Sequence, residues 1–68
     1  MKIVLNGASR ELDDGASLTA MLVSAGLPPD RKGVAVAVNG EVIPRATWPA
    51  TTLREGDRVE LVSATQGG

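Results

Sequence analysis

The chain has 68 residues, with seven Lys or Arg, eight Asp or Glu, and neither His nor Cys. This length allows a single domain, and the missing residue types exclude disulfides, thiolate nucleophiles, Cys-based zinc sites and the commonest general base. A formal net charge of −1 and one aromatic residue provide neither the basic surface nor the stacking platform that nucleic-acid binding requires.

The first predicted elements are the two strands of a hairpin. Residues 2–6 would place Ile3 and Leu5 on one face and Lys2, Val4 and Asn6 on the other, a period typical of a strand. Asn6-Gly7 favours a tight hairpin turn, and residues 9–12 provide a short return strand. We therefore expect a strand–turn–strand unit at the start of the chain.

A short helix is predicted next. Ser17 offers a hydroxyl group as the N-cap. After it, apolar residues recur at the spacing of one helical face: Leu18, Met21, Leu22 and Ala25. Gly26 suits the end of this helix, and Pro28-Pro29 prevents its continuation. A helix of about two turns does not persist alone in water, so we expect its apolar face to pack on the sheet.

The second half of the chain predicts three more strands. Residues 34–38 form the most apolar run, and their β-branched side chains favour a strand at the centre of the sheet. Asn39-Gly40 turns the chain into a strand at residues 41–43, and we expect residues 45–55 to be irregular. Residues 58–63 alternate again, which predicts a last strand.

This order of elements predicts an α+β fold in two layers, with one helix packed on a mixed sheet of four or five strands. The first and last strands would be parallel neighbours inside the sheet. We expect residues 1–63 to form this domain and residues 64–68 to form a flexible C-terminal tail.

The carboxylates do not indicate an active site. Asp13-Asp14-Gly15 and Glu55-Gly56-Asp57 have the composition of solvated turns. The Ser and Thr hydroxyls have no His to activate them, and the acidic residues lack the spacing of a calcium loop. We expect no metal site, no bound cofactor and no enzymatic activity of the chain's own.

The tail is the better candidate for chemistry. Gly67 and Gly68 have no side chains, so their backbone can enter a narrow site in another protein. Five extended residues reach at most about 17 Å. The terminal carboxylate is a poor acyl donor, but its mixed anhydride with AMP is a good one, and a sulfur nucleophile that displaces AMP leaves a thiocarboxylate. Taken alone, a Gly-Gly ending is equally consistent with a frayed terminus.

Several motifs together resemble the sulfur carrier proteins of thiamine biosynthesis, the ThiS family. They are the opening Met1–Gly7, Val-Ala-Val-Ala-Val-Asn-Gly-Glu-Val-Ile-Pro-Arg at 34–45, Trp48, Leu-Arg-Glu-Gly-Asp-Arg-Val-Glu-Leu-Val at 53–62, and the closing Thr65-Gln-Gly-Gly68. The likeness extends over essentially the whole chain. It implies a ubiquitin-like β-grasp fold.

The resemblance also implies roles for the tail. Gly68 would be adenylated by a ThiF-type enzyme that uses ATP and magnesium, and then converted to a thiocarboxylate. Thr65, Gln66, Gly67 and Gly68 would enter the partners' sites, although the family often has a larger aliphatic residue where this chain has Thr65. The other implied partners are a ThiG-type thiazole synthase and a sulfur donor such as a cysteine desulfurase system.

The last strand also predicts a surface. Its alternation places Val59 and Leu61 towards the core and Arg58, Glu60 and Val62 away from it. Because Val62 adjoins the tail, these three outward residues form a possible partner-binding surface. Trp48 is expected to cover the edge of the core instead.

Two other functions stay open at this point. A molybdopterin synthase small subunit has the same fold and a Gly-Gly end. A β-grasp binding module would have the two glycines incidentally. The Gln66-Gly67-Gly68 ending and the scarcity of aromatic residues favour the thiamine branch.

The sequence also carries an expectation about location. No apolar run approaches the roughly 20 residues of a membrane span. The apolar opening is interrupted at Asn6-Gly7, too early for a signal peptide. We therefore expect a cytoplasmic protein that contacts neither membrane nor nucleic acid.

Overall fold

A computed structural model describes residues 1–27 and 32–63 of the chain. Its elements, in chain order, are β1 (Lys2–Leu5), β2 (Ala8–Glu11), α1 (Leu18–Ser24), β3 (Val34–Val38), β4 (Glu41–Val42), a 3₁₀ helix (Arg45–Ala50) and β5 (Arg58–Ser63). None of the helices in these ranges is long and apolar enough to cross a membrane.

The five strands form one mixed sheet in the order β2-β1-β5-β3-β4. Strands β1 and β5 are parallel, with Val4 opposite Arg58 and Leu5 opposite Val59. The other three pairings are antiparallel. One helix lies on this sheet between two hairpins, which is the β-grasp topology, so the predicted fold class is confirmed. The parallel pairing of the first and last strands is confirmed as well.

One face of the sheet forms the core together with α1 and the 3₁₀ helix. Its buried side chains are Ile3, Leu18, Met21, Leu22, Val36, Trp48, Leu53 and Val59. Strands β1, β3 and β5 contribute to this core at period two and α1 contributes at helical spacing, as the sequence predicts. Burial of each large aliphatic side chain stabilises the fold by roughly 1.5–3 kcal/mol.

Helix α1 begins and ends where the sequence predicts. The Ser17 hydroxyl oxygen accepts a hydrogen bond from the backbone N–H of Ala20 at 3.0 Å, as an N-cap does. At the other end the Leu27 N–H donates to the Leu22 carbonyl at 2.9 Å. Leu27 packs against the core. The seven-residue helix is thus fixed by its caps and by its buried face.

The stretch predicted to be irregular contains the 3₁₀ helix, and Trp48 at its centre is buried. The Trp48 ring nitrogen donates to the Ile43 carbonyl at 2.8 Å. The Arg45 guanidinium lies 4.5 Å from the centre of the ring. Trp48 is therefore a core residue, as expected, and the surrounding backbone is more regular than the sequence predicts.

The sheet also differs from the prediction in its middle strand and in several strand bounds. Strand β1 ends at Leu5 rather than at residue 6, and β2 spans Ala8–Glu11 rather than residues 9–12. Strand β3 has neighbours on both sides, but the middle position belongs to β5. Strand β4 ends at Val42, one residue earlier than predicted, although the Ile43 N–H still donates to the Val36 carbonyl at 2.8 Å. The predicted break at Pro28-Pro29 and the predicted tail at 64–68 lie outside the described residues.

Candidate functional site

The side chains of β5 divide between the two faces of the sheet as predicted. Val59 is buried and Leu61 packs against the core, whereas Arg58, Glu60 and Val62 are exposed. No helix or strand of the described ranges covers these three residues. The structure therefore brings the predicted surface residues together on the face opposite α1.

Neighbouring strands enlarge this surface. Ala35 lies opposite Val62, and Ala37 lies between Glu60 on one side and Val42 on the other. Directly opposed residues point to the same face of a sheet. Val62 is 62% exposed and Val42 is 68% exposed. We call this exposed surface the open face, and it consists of Val4, Ala35, Ala37, Val42, Arg58, Glu60 and Val62.

Sequence reasoning missed the contribution of β3 and β4 to the open face. The signal was present for Val42, because Ile43 beside it is partly buried against the core. Period-two alternation then requires Val42 to point the other way. For Ala35 and Ala37 the same alternation applies, since Val36 between them is buried.

A shallow cleft of about 340 Å³ lies at one end of the open face. It is lined by Val4, Asn6, Gly7, Gly40, Arg58, Val59 and Glu60. The two Asn-Gly turns form its sides and β5 forms its floor. The cleft thus joins the charged end of the open face to both hairpin turns.

The acidic turn residues stabilise the fold. The Asp57 carboxylate accepts hydrogen bonds from the Arg54 backbone N–H at 2.8 Å and from the Asn39 amide at 3.0 Å. Glu55 accepts one from the Lys2 backbone N–H at 2.9 Å. These contacts agree with the predicted turn role. Within residues 1–27 and 32–63, no group of three or more acidic residues could hold a metal ion.

The other acidic pair lies at the chain's first residue. The Met1 ammonium group is 3.1 Å from the Asp14 carboxylate and 3.4 Å from that of Glu11, and it donates to the Leu12 carbonyl at 2.6 Å. The hydrogen bond that the ammonium donates to the Asp14 carboxylate is the main cause that raises the pKa of this ammonium above 8.0. This cluster lies beyond β2, remote in the sheet order from the open-face residues of β3 and β4.

The tail residues Thr65, Gln66, Gly67 and Gly68 lie outside the described residues. Strand β5 runs to Ser63, and only Ala64 stands between it and these residues in the sequence. The middle strand of the sheet therefore leads directly to the predicted tail, with the open face beside it.

Comparisons with known proteins agree with this architecture. The sequence model of the ThiS family matches residues 3–68. The sulfur carrier protein ThiS of Thermus thermophilus is 42% identical over 64 residues, which are 94% of this chain and 95% of that protein. The crystal structure of the thiamine biosynthesis protein ThiS from Geobacter metallireducens superposes with a TM-score of 0.83 at 31% identity and covers all of both chains.

A third relative is larger. The thiazole synthase of Magnetococcus marinus is 38% identical over all 68 residues, and this chain spans 20% of its length. The sheet order and the packing of α1 on one face of the sheet define a small β-grasp protein. The chain belongs to the ThiS family, as its near full-length matches show.

Proposed function

We propose that the chain is a sulfur carrier of thiamine biosynthesis and that its chemistry takes place at Gly68. A ThiF-type enzyme with ATP and magnesium would activate the terminus. An oxygen of the Gly68 carboxylate attacks the α-phosphorus of ATP, pyrophosphate leaves, and an acyl adenylate remains. A sulfur nucleophile at the oxidation level of hydrosulfide then attacks the carbonyl carbon. The bond to AMP breaks, and a thiocarboxylate forms.

The near full-length match to a protein named sulfur carrier protein ThiS is the observation that carries this proposal. The chain's own residues are consistent with it. Among the described residues no His or Cys occurs, and the acidic turn residues are engaged in backbone and turn contacts. Turnover therefore belongs to the partner enzymes, and this chain acts as their protein substrate.

The partners follow from the same chemistry. A relative named thiazole synthase contains a similar segment within its longer chain, which supports a thiazole synthase as the acceptor of the sulfur. A ThiF-type enzyme would supply the adenylate. A cysteine desulfurase system would supply the sulfur as a persulfide, and a thiol reductant would release it at the hydrosulfide level by forming a disulfide. The match to the ThiS family favours this pathway over molybdopterin synthesis.

The open face supplies the docking surface in this proposal. Val62 and Val42 are exposed valines on a sheet face that no described helix covers. Arg58 and Glu60 beside them add one charge of each sign. An apolar patch with a charged margin resembles the composition of protein interfaces. Val62 lies one residue before the end of β5, so a partner on this face would be close to the start of the tail.

The test is the intact mass of the purified chain after incubation with a ThiF-type enzyme, ATP, magnesium and a sulfide source. We expect a mass gain equal to the replacement of one oxygen atom by sulfur. A variant without Gly68 is the matched control, because the residues of the core are unchanged. It should show an unchanged unfolding curve and no mass gain. A wild-type chain that gains no mass, or a Gly68-deleted chain that still gains it, would reject the proposal.

A further inference from the structure

The two hairpin turns have the same sequence and the same backbone. Asn6-Gly7 has φ angles of 49° and 85°, and Asn39-Gly40 has φ angles of 52° and 86°. Two successive positive φ angles define the type I′ turn, which Asn-Gly favours. Both asparagine side chains reach across to β5. They meet this strand at different places.

Asn6 holds the later part of β5. The ladder between β1 and β5 ends at Leu5 and Val59. One residue further, the Asn6 N–H donates to the Val59 carbonyl at 2.9 Å. The Asn6 side chain accepts from the Leu61 N–H at 2.8 Å and donates to the Leu61 carbonyl at 3.4 Å. The carboxamide thus continues the ladder after the main chain has turned away towards β2.

Asn39 holds the start of β5. Its N–H donates to the Arg58 carbonyl at 2.7 Å, and its side-chain oxygen accepts from the Arg58 N–H at 2.9 Å. Its amide donates to the Asp57 carboxylate at 3.0 Å. The two asparagines therefore make similar contacts at different positions along one strand. Only the side-chain contacts of Asn6 lie in the half of β5 that ends at Ser63.

We propose that Asn6 is a positioning residue for the sulfur-carrying end of the chain. This inference rests on the proposed function. On one side of β5, β3 pairs as far as Ser63, whereas the β1 ladder stops at Val59. On the side of β5 where the β1 ladder has ended, the Asn6 carboxamide hydrogen-bonds to Leu61. This contact keeps the end of β5 in the plane of the sheet. A partner that docks on the open face then does not have to order the end of β5 first.

The turns offer a matched pair of variants. Asn6→Gly keeps the positive φ angle and removes the carboxamide from Leu61. Asn39→Gly makes the same change in the same type of turn and removes the contact with Arg58. Glycine raises the entropy of the unfolded chain equally in both variants. Asn6→Asp retains an oxygen that can accept from the Leu61 N–H and tolerates the left-handed backbone.

The measurement is the steady-state kinetics of carrier adenylation by a ThiF-type enzyme, with each variant at matched folded fraction. We expect Asn6→Gly to raise KM for the carrier about tenfold with little change in kcat, since preorganisation of the docked strand is lost. Asn39→Gly should stay within about twofold of the wild type, and Asn6→Asp should recover most of the loss. Amide exchange should accelerate at Leu61 in Asn6→Gly and at Arg58 in Asn39→Gly.

The outcomes separate the two proposals. Equal KM values for Asn6→Gly and Asn39→Gly would overturn the positioning role of Asn6 and leave the carrier function in place. Unchanged amide exchange at Leu61 in Asn6→Gly would overturn it as well. A wild-type chain that the enzyme does not adenylate would instead reject the proposed function, and with it this inference.

Discussion

Valine side chains lie on both faces of the sheet, but they are buried on one face and exposed on the other. On β5, Val59 is 1% exposed and Val62, three residues later, is 62% exposed. The first packs under α1 and the 3₁₀ helix, whereas the second lies on the open face. Because a single helix can cover only one face of a sheet, the other face retains apolar side chains that add little to the core. In this chain that face adjoins the strand that leads to Gly68.

Within β5, the buried side chains are therefore expected to determine stability and the exposed ones to determine partner recognition. Substitutions on the covered face should change the free energy of unfolding, and substitutions on the open face should change the interaction with partners. Each of the following variants tests one side of that comparison.

The largest effect is expected for Leu22→Ala on the covered face. Leu22 is almost completely buried, so its truncation leaves a cavity and should lower the free energy of unfolding by about 2–5 kcal/mol. Val23→Ala on the exposed side of the same helix is the control and should cost no more than about 0.5 kcal/mol. Urea unfolding followed by circular dichroism measures both. Similar losses in the two variants would contradict the assignment of α1's buried face.

A smaller effect is expected for Val62→Lys on the open face. The free energy of unfolding should change by no more than about 0.5 kcal/mol. The KM for the carrier in adenylation by a ThiF-type enzyme should rise about tenfold, because an apolar contact of the proposed docking surface is lost. Val23→Lys adds the same charge at an exposed valine of α1. If both variants raise KM equally, net charge rather than the open face determines docking.

Ser17→Ala tests the N-terminus of α1, the helix that packs on the covered face of the sheet. The Ser17 hydroxyl satisfies the Ala20 N–H, and its removal should lower the free energy of unfolding by about 1 kcal/mol. Ser17→Asp should restore most of this loss, because aspartate is an equally good N-cap. The KM for adenylation should not change at matched folded fraction. A change in KM would show that the two faces are coupled.

The smallest effect is expected from the Met1 ammonium group. The Asp14 carboxylate raises its pKa above 8.0, so the ammonium binds its proton more tightly in the folded chain. The contribution of this ammonium to the free energy of unfolding is fully present below pH 8.0. It is lost as the pH rises through the raised pKa of the ammonium in the folded chain. The urea midpoint should therefore fall in this alkaline range. In Asp14→Asn that fall should be smaller, and an identical fall would contradict the role of Asp14.

Much of the fold follows from local chemistry that the sequence displays. The Asn-Gly pairs predict both hairpin turns, Ser17 and Gly26 delimit α1, and period two assigns the inward and outward residues of β5. The parallel neighbours β1 and β5 follow from the order of the elements. The turns, the helix ends and the faces of β5 depend on contacts close in sequence or on a regular period, so one chain is enough to predict them. The β1–β5 pairing joins distant residues but follows from the order in which the elements connect.

Other features depend on contacts between distant residues. The 3₁₀ helix has no hydrophobic period and contains Pro49, and it forms around the burial of Trp48. The Asn6 carboxamide contacts Leu61, which is 55 residues away, and its sequence signal indicates only a turn. The pairing of β3 with β5 completes the open face by placing Ala35 opposite Val62, 27 residues away. The roles of Thr65 to Gly68 remain a prediction from the family resemblance.

Fragmentation of the sulfurised protein in a mass spectrometer tests the carrier role most directly. If Gly68 carries the sulfur, every C-terminal fragment containing Gly68 should show the added sulfur mass, and N-terminal fragments ending before Gly68 should not. Sulfur located within residues 1–67, or none in the chain after complete consumption of ATP by the activating enzyme, would contradict it.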